Sequence, residues 1–186
     1  MADRKKLEQA ARLILEAIGE DPNREGLLET PRRFAEMIEE QMAYTTVSNE
    51  EIAREFGKTF SSSEEGPVVV KDISIFSHCE HHLALMYHMH VSVGYIPHGR
   101  VIGLSKVARI ADAVSRRLQI QERIGADIRN IIEKVTGSVD VIVRIDGEHS
   151  CMTARGIKKP GAVTTTISSS GKFNTPEYRQ LFKEML

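Results

Sequence analysis

The sequence predicts an α+β protein: an antiparallel four-stranded sheet with two consecutive helices on one face, preceded by an N-terminal helical region. Three observations predict it. Apolar residues in the first 60 positions recur with the period of helices. After a polar, proline-ended break at Ser61–Pro67 the pattern changes to the alternation of strands. Two helical stripes in succession then separate the first strand-like segments from the last. Strands grouped at either side of a helix pair argue against a doubly wound parallel sheet. The break divides the chain into a helical region, 1–60, and a main domain, 61–186.

Each element has its own signal. Leu7, Ala10, Ala11, Ile14, Leu15 and Ile18 form an amphipathic stripe that Gly19 and Pro22 end. Thr30 and Pro31 read as N-cap and first-turn proline of a second helix, whose face carries Phe34, Met37, Ile38 and Met42. Val68–Val70 with Ile73 and Ile75 is β-rich, and Met89, Val91, Val93 and Tyr95 alternate with polar or small residues. Pro97–Arg100 is turn chemistry, so the strand over 88–96 is expected to hairpin into Val101–Leu104. Ser105 is expected to cap a helix with the stripe Val107, Ile110, Ala111, Val114, Leu118. A second helix carries Ile124, Ile128, Ile131, Ile132 and Val135 up to Gly137. Val139–Ile145 and Val163–Ser169 alternate as strands, and Thr175–Pro176 opens a terminal helix.

Composition narrows the function. The 186 residues are enough for one ordinary domain with a helical extension. Lysine and arginine number 25 against 26 acidic residues, a formal net charge of -1, which argues against a polybasic nucleic-acid binder. No apolar run approaches 18 residues and the mean hydropathy is -0.26, so no membrane partner is expected. The charged start MADRKK lacks the apolar core of a signal peptide, and the expected location is the cytoplasm. There a pair of cysteines is seldom a disulfide.

Those two cysteines, Cys79 and Cys151, each lie close to histidine. Five of the seven histidines fall within residues 78–90. Cys79-Glu80-His81-His82 places a thiolate and an imidazole three positions apart, within reach of one ion, and His149-Ser150-Cys151 offers a second thiolate. Together they point to zinc held by Cys79, His82 and Cys151 with an open fourth position, where a water could be activated. The bland readings are a closed structural site completed by His81 or His149, or two buried free cysteines. His81 and His149 are general acid/base candidates, because imidazoles titrate near neutrality, or else hydrogen-bonding neighbours of the ligands. His78, His88, His90 and His98 read as ordinary polar residues.

Gly103–Arg109 opens a helix. Its free N–H groups, with Ser105, Lys106 and Arg109, form a plausible polyphosphate cradle, although serine is a common cap and helical cations are usually solvated. Glu122 begins the next helix, where the macrodipole favours a carboxylate anyway. Arg155, four residues after Cys151, either reaches a ligand at the metal or faces solvent.

On these residues the chain resembles the GTP cyclohydrolase I family. The matching motifs are Cys-Glu-His-His-Leu (79–83), Tyr-Ile-Pro (95–97), Gly-Leu-Ser-Lys-x-x-Arg (103–109), Gln-x-Gln-Glu-Arg (119–123) and His-x-Cys-Met-x-x-Arg-Gly (149–156), with Thr30–Arg33 in the helical part. The resemblance implies the tunnelling fold and hydrolytic opening of the GTP imidazole ring, with loss of formate and rearrangement to 7,8-dihydroneopterin triphosphate. By the matching positions Cys79, His82 and Cys151 hold zinc, and His81 and His149 move protons. Glu122 meets the guanine edge, Gln121 is a substrate-binding residue beside it, and Ser105, Lys106, Arg109 and Arg155 hold the triphosphate. The family's assembly, a decamer of two pentamers with active sites between subunits, implies a homo-oligomer. Residues 84–90 depart from the family, which usually shows a proline or a polar turn with glycine there. The departure reads as an altered hairpin rather than altered chemistry.

Other readings are a tunnelling-fold enzyme acting on a different pterin or deazapurine, and a zinc-stabilised binding module without turnover. A pterin synthase of that kind would want three histidines on zinc. A nitrile reductase would want an unligated nucleophilic cysteine, and both cysteines here sit in the zinc pattern.

Overall fold

The computed structural model describes residues 2–186, which form two compact units, one ending at Thr46 and one spanning Val47–Leu186. The division falls ahead of the serine-rich break at 61–67, because a third helix and a short strand belong to the second unit.

The first unit is a helical pair. Helix α1 (Arg4–Ala17) is capped by Asp3, whose side chain accepts from the Lys6 N–H. Helix α2 (Thr30–Gln41) begins at Thr30, with Glu29 rather than Thr30 as its cap residue. Arg4 bonds Glu39 between the two helices, and Ala11, Pro31 and Ala35 are buried. Much of the α1 stripe stays exposed in the single chain: Ile14 is 52% and Ile18 70% accessible.

The second unit opens with α3 (Asn49–Phe56), started by a reciprocal capping box between Ser48 and Glu51. Strand β1 (Thr59–Ser61) follows, then the long strands β2 (Val68–Cys79) and β3 (Ala84–Tyr95), and the short β4 (Arg100–Ile102). Helix α4 (Leu104–Ser115), the two-residue β5 (Leu118–Gln119) and helix α5 (Gln121–Thr136) come next. After them stand β6 (Val141–His149), the single turn α6 (Ser150–Thr153), β7 (Val163–Ser169) and α7 (Pro176–Met185). The sheet order is β5-β2-β3-β6-β7. Four strands are antiparallel, as predicted, and β5 adds a two-residue parallel pair beside Cys79. The α4–α5 pair supplies Val107, Ile110, Val114, Ile124, Ile128 and Ile132 to the core, against Val91, Val93, Val143 and Ile145 of the sheet. Gly137, at φ +73, ends α5 in the left-handed conformation.

Two expectations are corrected. Residues 100–102 do not hairpin onto β3. Tyr95 already pairs with Val68 on one side and Val141 on the other, so β3 has no free edge, and β4 pairs with β1 instead. Ser105 does not cap α4: Gly103 is the cap residue and Ser105 lies inside the first turn.

The departing segment 84–90 is a β-bulge. His88 sits at φ +48, and the pairing of β3 with β6 slips by one residue between Tyr87 and His90. Beyond the bulge the inward parity switches. Met89, Val91, Val93 and Tyr95 are buried on one side of it and Met86 on the other. A matching extra residue in β2, Asp72 at φ +58, offsets the slip between β2 and β3.

Candidate active site

Register brings the two cysteine motifs together. Ser77 pairs with Met86 and Met86 with His149, so these three lie abreast across β2, β3 and β6. Both outer strands run antiparallel to β3. Cys79 and Cys151, each two residues further along, therefore leave the sheet at the same end. The chain after Cys79 turns tightly, with Leu83 at φ +52, and the Glu80 N–H is anchored on the Gln119 carbonyl at 3.0 Å.

The ligand atoms of Cys79, His82 and Cys151 all lie within 4.8 Å of one another. Cys79 Sγ is 3.5 Å from His81 Nδ1 and 3.9 Å from His82 Nδ1. Both cysteines are free thiols. Burial, and then the facing Cys79 sulfur, push the Cys151 thiol pKa up. Two thiols in one site resist ionising together unless a cation joins them.

The cluster is braced from several sides. Arg155 Nη1 donates to His82 Nε2 at 3.0 Å. Arg123 grips Glu80 with two hydrogen bonds, at 2.6 and 3.2 Å, and holds the Glu80 carboxyl below its ordinary range. The Ser150 hydroxyl donates to the Leu85 carbonyl at 2.7 Å, and the Tyr87 and Thr153 hydroxyls meet at 2.9 Å, tying α6 to the bulged end of β3. His149 lies half-buried, with Nε2 2.9 Å from Gln121 Oε1. Burial lowers its pKa and the nearby Glu122 carboxylate opposes that shift.

Sequence reasoning missed several of these residues. Arg123 stood inside a quoted motif but had no partner assigned. Tyr87 and Thr153 carried no signal at all. His78, read as an ordinary polar residue, is 6% exposed, its Nδ1 has no hydrogen-bond partner among the described residues, and burial lowers its pKa.

The remaining candidates lie elsewhere. Glu122 is exposed at the start of α5. Ser105, Lys106 and Arg109 open α4, and among the described residues none of them is hydrogen-bonded or ion-paired to the cysteine–histidine cluster; Lys106 Nζ stands 6.0 Å over the Phe56 ring. The Ile102 N–H bonds the Tyr95 hydroxyl at 3.2 Å, which puts this helix start at the Val68 end of β2. The far end of α4, where the Ser115 carbonyl accepts from the Ser77 hydroxyl at 2.7 Å, lies at the Cys79 end. Ten helical residues, about 15 Å, separate Ser105 from Ser115.

A sequence model of the family described as GTP cyclohydrolase I matches residues 7–186. The chain belongs to the GTP cyclohydrolase I family. Proteins named GTP cyclohydrolase 1 from Clostridium acetobutylicum and Clostridium beijerinckii are each 59% identical to it. The first aligns over 180 residues, 94% of this chain and 92% of its own, and the second over 179 residues, 93% and 91%. A solved structure of the archaeosine synthase QueF-Like in the apo form aligns with 59% of this chain and 96% of its own, with a TM-score of 0.46 and 18% identity. As a member of the GTP cyclohydrolase I family the chain is an enzyme of the hydrolase class. Among the described residues, no helix is long and apolar enough to cross a membrane.

Proposed function

We propose that the protein opens the imidazole ring of GTP by zinc-dependent hydrolysis, releases formate and rearranges the remainder to 7,8-dihydroneopterin triphosphate, the first step of folate and pterin biosynthesis. The observation that carries this reading is the convergence of Cys79, His82 and Cys151 within 4.8 Å, beside the half-buried His149, in a member of this family.

The donor set fits zinc. Two thiolates and an imidazole suit a borderline-soft ion, and three protein ligands leave a fourth position open. When bound there, zinc supplies a Lewis acid that brings the pKa of water toward about 7. The chain's own residues supply the rest. His149 and His81 move protons during ring opening and rearrangement. Glu122 accepts from the N–H groups of the guanine edge, with Gln121 beside it on α5. Ser105, Lys106, Arg109 and Arg155 neutralise and orient the triphosphate, a local cation group that a nearly neutral chain needs for so charged a ligand.

The metal ligands and the α4 start belong to opposite ends of one sheet, so a site that uses both takes its halves from two copies. This supports a homo-oligomer, the decamer of two pentamers implied by the family. Further support comes from the outer edge of β7, unpaired in the single chain, where Val163 is 60% and Ile167 57% exposed. Two free thiols in the active centre suit the reducing cytoplasm.

The test is formate release from GTP with dihydropterin absorbance followed in parallel, with and without a zinc chelator. Formate and pterin in equal amounts, abolished by chelation, are expected. Formate without pterin would confine the activity to ring opening, and no formate from zinc-loaded protein would overturn the proposal. The 3.5 Å approach of His81 Nδ1 to Cys79 Sγ favours, as a second reading, a closed site with His81 as fourth ligand. An exchangeable water on cobalt-substituted protein would exclude it.

A further inference from the structure

Gln121 is 1% exposed, and every polar atom of its side chain is engaged with the protein. Its Nε2 lies 3.0 Å from the Ile145 carbonyl, 2.9 Å from the Thr164 carbonyl and 3.2 Å from Thr166 Oγ1. Carbonyl oxygens only accept, so the nitrogen of the amide must face them, and Oε1 must face His149. Oε1 is likewise only an acceptor. The 2.9 Å contact with His149 Nε2 therefore requires a hydrogen on that ring nitrogen. In a neutral imidazole this leaves Nδ1 with its lone pair. The amide has no room to turn away. A Cβ on Gly147 would come within 3.2 Å of Oε1 and 2.9 Å of Met89 Cγ, so β6 approaches the amide closely at that glycine.

We propose that Gln121 is a positioning residue that holds His149 as the Nε2–H tautomer and so fixes Nδ1 as the ring nitrogen that carries the lone pair. The inference rests on the reading of His149 as a proton-transfer group. It changes the part Gln121 plays, from contact with the substrate to control of a neighbouring side chain. The anchors of the amide are main-chain carbonyls of β6 and β7, so the orientation of the imidazole is tied to the sheet itself.

Nitrogen NMR of the His149 ring in the zinc-loaded wild-type enzyme reads the tautomer directly. A hydrogen on Nε2 is expected, and one on Nδ1 would overturn the proposal. Steady-state kinetics on Gln121→Met and Gln121→Glu, alone and combined with His149→Ala, read its consequence. Gln121→Met is expected to lower kcat about ten- to a hundredfold, the scale for losing an orienting partner. KM for GTP should stay within about twofold and the zinc content unchanged, since the residue acts through His149. Gln121→Glu keeps an acceptor for Nε2 but sets its second oxygen against the Ile145 and Thr164 carbonyls, so it too is expected to lower kcat with KM and zinc content kept. In the His149→Ala background Gln121→Met should cost nothing further. A raised KM with kcat kept would return Gln121 to nucleotide binding, and an equal extra loss in that background would show that it acts independently of His149. Wild-type turnover in His149→Ala alone would instead remove the underlying reading of His149.

Discussion

The two ends of the catalytic unit are built differently. At the Cys79 end His82 accepts from Arg155, half-buried His149 meets Gln121, His81 approaches the Cys79 sulfur, and Ser150 anchors the turn that carries Cys151. At the α4 start, Ser105 and Arg109 are exposed, and among the described residues their side chains have no hydrogen-bonded or ion-paired partner. On the proposed function, the difference follows from what each end would do. Bond-making groups work only if their orientation is set before substrate arrives, and the chain spends hydrogen bonds on that. Cations that meet a triphosphate gain by staying solvated and unpaired until the ligand's own charges replace water.

The sharpest break is Cys151→Ala. It is expected to lose zinc and reduce formate release to background, with metal analysis and the formate assay as readouts. His149→Ala is next. It should keep zinc and lower turnover about a hundred- to ten-thousandfold, the range of general acid–base catalysis, in the same two assays. At the opposite end Arg109→Ala should leave zinc in place and raise KM for GTP about tenfold, as loss of one charge-assisted contact would. Co-expressing Arg109→Ala with Cys151→Ala chains then tests whether the ends meet across copies. About a quarter of the sites should regain both intact halves, and at GTP concentrations well below KM activity should exceed that of either variant alone. Recovery no better than the sum of the two would confine the site to one chain. The smallest effect is that of Ser48→Ala, which removes the α3 capping box. It should cost about 1 kcal/mol in thermal unfolding, with no change in turnover.

Much of this was legible in the sequence, and the failures have physical causes. Long elements with sustained periodicity, such as α1, α5 and β7, appear where their patterns lie. Helix α3 was missed because eight residues give little periodicity, although Ser48 and Glu51 spell a capping box that would have located it. Strand β5 is two residues long and exists only through its pairing with His78 and Cys79. The β4 hairpin failed because local turn chemistry says nothing about whether the preceding strand has a free edge. In the candidate site, cysteine and histidine spacing named a group that the structure brings together. The partner of Gln121 was illegible, since it depends on which way a buried amide faces. So was the placement of Ser105, Lys106 and Arg109 at the far end of the sheet from Cys79, a product of register and helix direction rather than of motif.

The bulge at His88 makes the length of its strand negotiable. Remove one residue there and Met86, Met89, Val91, Val93 and Tyr95 would read straight through with a period of two, every one still inward. Losing that residue together with the one at Asp72 would leave the hairpin's inward face and its end registers unchanged. The departure of residues 84–90 from the family's usual turn thus falls where β3 already carries an extra residue, matched in β2 by the one at Asp72.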